Sequence, residues 1–116
     1  MKYLCLIYGV ESKWETMAKA DAESMMAEYG AFTASIQGSG HYVSGHELHP
    51  TSAATTVRIR NGKVSATDGP FAETKEQLGG YYLIDAKDLN EAIQIAARIP
   101  AARDGCVEVR PIVTRD

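Results

Sequence analysis

Residues 68–85 read Asp68-Gly69-Pro70-Phe71-Ala72-Glu73-Thr74-Lys75-Glu76-Gln77-Leu78-Gly79-Gly80-Tyr81-Tyr82-Leu83-Ile84-Asp85. The stretch joins a strand exit, a rigid turn, a charged loop and the entry of a new strand. Gly69 admits backbone angles closed to other residues, and Pro70 fixes its own φ and keeps its predecessor out of the helical region, so Asp68 is held just before a stiff corner. Immediately upstream, two alternating runs, residues 55–60 and 63–68, flank Asn61-Gly62, the dipeptide that favours a type I′ hairpin turn. A two-residue loop pairs Arg60 with Lys63, Ile59 with Val64, Arg58 with Ser65, Val57 with Ala66 and Thr55 with Asp68. Val57, Ile59, Val64, Ala66 and Asp68 therefore share one face, and Arg58, Arg60, Lys63 and Ser65 the other. A carboxylate that continues an apolar face is expected to be desolvated there unless paired.

Further out, residues 3–8 form a continuous apolar run that ends at Gly9, the pattern of a central strand. Ser12-Lys13-Trp14-Glu15 has the spacing of a capping box, which predicts a helix start at that point. Trp14, Met17, Ala18, Met25, Tyr29, Phe32 and Ile36 recur at three and four residues, the core-facing stripe of a long helix with a break near Asp21 and an end at Gly38 and Gly40. A strand follows over residues 41–48. Downstream of the hairpin, Gly79-Gly80 lets another backbone approach the start of a strand over residues 81–84. Asp88-Leu89-Asn90-Glu91 is a second capping box. It opens a helix with Leu89, Ala92, Ile93, Ala96 and Ile99 on its apolar stripe, stopped by Pro100. Residues 106–112 alternate branched and charged side chains, with Pro111 marking an edge and Glu108 and Arg110 on one face.

The predicted order is strand, helix, strand, hairpin, strand, helix, strand. Two strand-helix-strand units around a hairpin predict an α+β, ferredoxin-like fold: an antiparallel sheet with helices on one face, the dimeric α/β-barrel type. At 116 residues and 45% hydrophobic content the chain, residues 1–116, is read as one domain. Two helices leave the other sheet face bare, and a homodimer packing sheet on sheet would cover it, with ligand clefts at the interface.

Composition narrows the function. The net charge is −3, and the twelve Lys and Arg are scattered, so nucleic acid is not an expected partner. No apolar run approaches the roughly 18 residues that span a bilayer, so no membrane association is expected and the cytoplasm is the expected compartment. Cys5 and Cys106 form neither a CxxC motif nor a disulfide framework, and both are expected to be small buried strand residues. His41, His46 and His49 lack a completing carboxylate or Cys, so no metal is predicted, and the Gly38 to Gly45 glycines lack dinucleotide spacing. No cofactor is expected.

The stretch over residues 68–85 closely resembles the signature of the DGPF branch of the YCII-related family. Ala86-Lys87-Asp88-Leu89-Asn90-Glu91-Ala92 and Val107-Glu108-Val109-Arg110-Pro111 extend the resemblance over nearly the whole chain. The resemblance implies a small bacterial protein of ferredoxin-like fold that pairs into dimers. In YCII-like proteins outside this branch, a His on the first helix and an Asp near the sheet have been proposed as an acid-base dyad, and one related group eliminates chloride from a chlorinated ring-cleavage intermediate. The corresponding helix position here is Tyr29, which leaves Asp68 with Tyr29, Tyr8 or His46 as companions. Members of the branch also resemble proteins encoded beside extracytoplasmic-function sigma factors, which implies a functional link to such a factor.

Two roles for Asp68 stand side by side: a turn anchor that accepts amide hydrogen bonds, or a functional carboxylate. Two function classes follow. One is a dimeric protein that binds an unknown small molecule, with Tyr8, Tyr29, His46, Phe71 and Lys75 as candidate ligand contacts. The other is a cofactor-independent lyase or isomerase in which Asp68 is the catalytic proton carrier and Tyr and Lys side chains place an anionic substrate. Asp68→Asn separates them: an enzyme loses its turnover with the fold intact, whereas a binding protein changes in stability or ligand affinity, and thermal melts with a turnover assay read both.

Overall fold

The computed structural model describes residues 1–115. Its elements are β1 (Lys2–Gly9), α1 (Glu11–Glu15), α2 (Lys19–Gly38), β2 (Tyr42–Glu47), β3 (Thr55–Arg60), β4 (Lys63–Asp68), β5 (Gln77–Asp85), α3 (Leu89–Ala96) and β6 (Cys106–Pro111). Four strands form an antiparallel sheet in the order β2-β5-β1-β6, and β3 and β4 form a separate two-stranded ribbon. This is the ferredoxin-like α+β plan with a hairpin inserted between β2 and β5.

Strand alternation explains the layers. In β1, Tyr3 and Cys5 point to the helices and are buried, whereas Leu4 and Leu6 face away and stay half-buried. Tyr82 and Ile84 on β5 pair with Cys5 and Tyr3 and join the same core. Phe32 and Ile36 of α2, and Ala92, Ile95 and Ala96 of α3, complete that core, which puts both helices on one face. The burial of Cys5 pushes its thiol up to about 11.

Several local expectations are met by the observed hydrogen bonds. The β3–β4 register is Thr55 to Asp68 through Arg60 to Lys63, turned by Asn61 and Gly62 at φ 54° and 74°. Asp88 accepts from the amide of Glu91 at 2.9 Å, so the second helix cap is real. A Cβ on Gly80 would lie 2.9 Å from the His46 carbonyl oxygen, the close backbone approach expected of it. β6 is an edge strand, consistent with Pro111 at its end.

Other expectations are corrected. The first capping box does not form: α1 begins at Glu11 with Val10 as its cap residue, and Ser12 accepts from the Thr16 hydroxyl at 2.7 Å through its carbonyl. Thr16 and an extended Ala18 break the helix before Asp21. The third helix ends at Ala96, and Pro100 opens a short 3-10 turn, Pro100–Arg103. Cys106 is exposed, because its strand lies at the sheet edge. The hairpin's apolar face is also exposed, with Val57, Ile59 and Val64 each more than 60% accessible, because the hairpin leaves the sheet instead of lying on it.

Two carboxyls, exposed Asp85 and half-buried Glu91, sit below their ordinary range. The N-terminal ammonium, hydrogen-bonded to Asp85 at 3.1 Å, lowers Asp85. The Lys87 amide and then His41, at 3.0 and 3.1 Å, lower Glu91. A lowered carboxyl contributes stability that is complete above its unfolded pKa and is lost as pH falls through its folded one. Acid titration of the melting temperature should therefore show a fall below the ordinary carboxyl range, and Glu91→Gln should flatten it. Gly105 has no room for a Cβ, which would lie 2.1 Å from the Tyr8 carbonyl oxygen, so Gly105→Ala should cost about 3 kcal/mol in denaturant unfolding.

Candidate functional site

Helix α2 is attached to the sheet at one end. Phe32 meets Tyr82 edge-on at 5.1 Å, and the Thr33 hydroxyl lies 2.7 Å from the Tyr82 hydroxyl. Towards its N-terminus no residue of α2 is buried, and Met25, Met26 and Tyr29 line a cavity of about 670 Å³. Its sheet side is Ile7, Gly45, Gly80 and Tyr82, and Trp14 and Met17 from the α1 region also line it. Gly30 also lines it, and a Cβ there would meet nothing within 4 Å.

A polar clasp holds the mouth. The Glu11 carboxylate accepts from the Thr51 amide and hydroxyl at 2.7 and 2.8 Å, while the Glu11 amide donates to Gln77 Oε1 at 3.0 Å. Gln77 Nε2 in turn donates to the Thr74 carbonyl. The segment that leads into β3 and the start of β5 are thus both tied to the first turn of α1, beside His49 and Pro50, which also line the cavity.

Of the residues singled out from sequence, Tyr8, Tyr29 and His46 line this cavity. Asp68, Phe71 and Lys75 do not: all three are exposed on the hairpin exit and the loop after it, and Phe71 is 82% accessible. The hairpin carries Asp68 out of the sheet, so within one chain it is not grouped with the other three. His46 Nδ1 is 2.9 Å from the Tyr81 hydroxyl, an imidazole and a phenol joined across β2 and β5 on the sheet face turned away from the helices. Among the described residues no three His, Cys, Asp or Glu side chains converge as metal ligands. His41 instead bridges Ser39 and Glu91.

Sequence reasoning missed Trp14 and Met25 as site residues. Their helical spacing with Tyr29 was visible, but the same spacing describes a core face, and only the Phe32 and Ile36 end of that stripe is core. Tyr42, Tyr81, Glu47 and Asp104 also line the cavity, and no local pattern marks them.

A model of the YCII-related domain matches residues 1–115. The chain is also 40% identical over 114 residues to an uncharacterized protein of Rhizobium meliloti (strain 1021), covering 97% of this chain and 92% of that relative.

Burial pushes the Tyr29 phenol above its ordinary value against the lowering effect of the Ala101 backbone, with Tyr82, Asp104 and Glu47 adding smaller rises. Such a phenol favours the folded state below its unfolded pKa, and that contribution is lost as pH rises through the folded one. A spectrophotometric alkaline titration should show one phenol ionising late, and Tyr29→Phe should remove that step.

Proposed function

The chain belongs to the YCII-related domain family, and from that premise we propose that it is a homodimeric protein that binds a small molecule in the cavity under α2. One observation carries this reading: an aromatic and methionine-lined cavity of about 670 Å³ opens beside polar groups, in the size range of small-ligand sites. Methionines suit such a wall because their flexible thioethers adapt to the guest.

The dimer is supported by surface that the single chain leaves uncovered. Its accessible area is 8010 Å², against about 6,200 Å² expected for a monomer of this mass. The radius of gyration is 16.2 Å, against about 13 Å for a compact chain of this length. The excess, roughly 1,800 Å² per chain, matches one protomer's share of an obligate homodimer interface. Val57, Ile59, Val64 and Ala66 on the hairpin, with Leu4, Leu6 and Leu83 on the bare sheet face, are apolar groups for a second copy to cover.

A second reading, a cofactor-independent acid/base enzyme, is favoured by the His46–Tyr81 pair, since an imidazole held by a phenol is a competent proton carrier. In that reading Asp68 takes part only where the hairpin of a second copy carries it to a cleft.

Sedimentation should give twice the chain mass, and Val57→Asp with Ile59→Asp should give the monomer; a wild type that is monomeric throughout rejects the dimer. Gly30→Phe should fill the cavity and keep the helix, since Gly is the weaker helix former by up to about 1 kcal/mol. Binding of small aromatic compounds, read by the fluorescence of the single Trp, Trp14, should be lost in that variant. Unchanged binding rejects the cavity as the site.

A further inference from the structure

The charge of the cavity is unlike that expected for an anion site. Four carboxylates line it, Glu11, Glu15, Glu47 and Asp104, against one ammonium, Lys13. Lys75, the cation that the sequence offers for an anionic ligand, lies outside the cavity.

The four carboxylates are not equivalent. Glu11 is committed to Thr51 through both of its oxygens. Glu47 and Asp104 have no ion-pair partner among the described residues. Glu47 ends β2, and Asp104 follows the 3-10 turn, so they reach the cavity from separate parts of the chain. Both charges are felt at the Tyr29 phenol. The remaining wall supplies aromatic faces: Trp14, Tyr29, Tyr42 and Tyr82. Aromatic faces attract an ammonium through the negative centre of the ring, and the attraction grows as the cation is desolvated.

We propose that the ligand of this cavity is a small organic amine, bound as its ammonium ion with Glu47 and Asp104 as counter-charges and with its apolar body against the aromatic and methionine wall. This inference rests on the cavity being the binding site, as proposed above. An anion entering the cavity would meet four like charges with one ammonium to offset them, and a neutral guest of the same shape would gain only the apolar contacts. A cation gains both. Glu47 and Asp104 are both exposed and carry no ion-pair partner among the described residues, so the cation keeps part of its hydration while it gains their charge.

The test compares three guests of nearly one shape, 2-phenylethylamine, 2-phenylethanol and 3-phenylpropionate, titrated into the full chain near neutral pH with Trp14 fluorescence as the signal. The ammonium should bind roughly tenfold more tightly than the alcohol, with the carboxylate weakest, and added salt should narrow the gap. Glu47→Gln with Asp104→Asn should bring ammonium and alcohol to equal affinity while alcohol binding stays unchanged, a readout that requires the variant to be folded. Equal binding of ammonium and alcohol by the wild type, or preference for the carboxylate, overturns the amine assignment and leaves the cavity standing as an apolar site. Silence from all three guests overturns both.

Discussion

The helix-covered side of the sheet depends on the ring of Tyr82. It lies so close to Gly45 that a Cβ there would come within 2.7 Å of the ring. It takes Phe32 edge-on at 5.1 Å and Tyr42 at 6.4 Å, and its hydroxyl meets Thr33 at 2.7 Å. One side chain thus joins β2, β5 and α2, combining aromatic packing with a satisfied hydroxyl. The absence of a side chain at residue 45 is the condition for this, since any Cβ would displace the ring and with it the helix.

Because α2 is pinned there and not along its length, its two halves do different work. The C-terminal half closes the core through Phe32 and Ile36. The N-terminal half stands off the sheet, and the break at Thr16–Ala18 lets α1 turn over the gap. The Glu11 clasp then holds the gap's rim with hydrogen bonds of 2.7–3.0 Å. A cavity of this kind is supported by rigid anchoring on both sides and not by tight packing at its centre.

What could be read from the sequence divides along the range of the interactions. The hairpin register was legible because Asn61-Gly62 encodes its own turn, and the Asp88 cap because donor and acceptor lie three residues apart. The order of strands and helices along the chain followed from the sequence of apolar runs. The first capping box failed for a long-range reason. Helix α1 starts one residue before Ser12, and Glu11 is engaged by Thr51, forty residues away in sequence. The site was partly legible. Tyr8, Tyr29 and His46 were singled out and do line one cavity, but Asp68 was singled out by its apolar neighbours on a ribbon that leaves the sheet. Whether a stripe such as Trp14, Met25, Tyr29, Phe32 and Ile36 is core or cavity wall depends on how the helix tilts, which is settled by contacts elsewhere.

The ribbon of β3 and β4 shares no ladder with the four-stranded sheet. Its two ends meet where the Gly69 amide donates to the Ala54 carbonyl at 2.7 Å, with the Thr56 hydroxyl on the Gly69 carbonyl beside it. The chain therefore leaves and re-enters the domain at nearly one point. Residues between those ends can be shortened, lengthened or exchanged without moving a strand of the sheet. The arm is thus a unit whose length and sequence answer to whatever surface it covers, while the pocket beneath α2 answers to the separate constraint of the Tyr82 anchor.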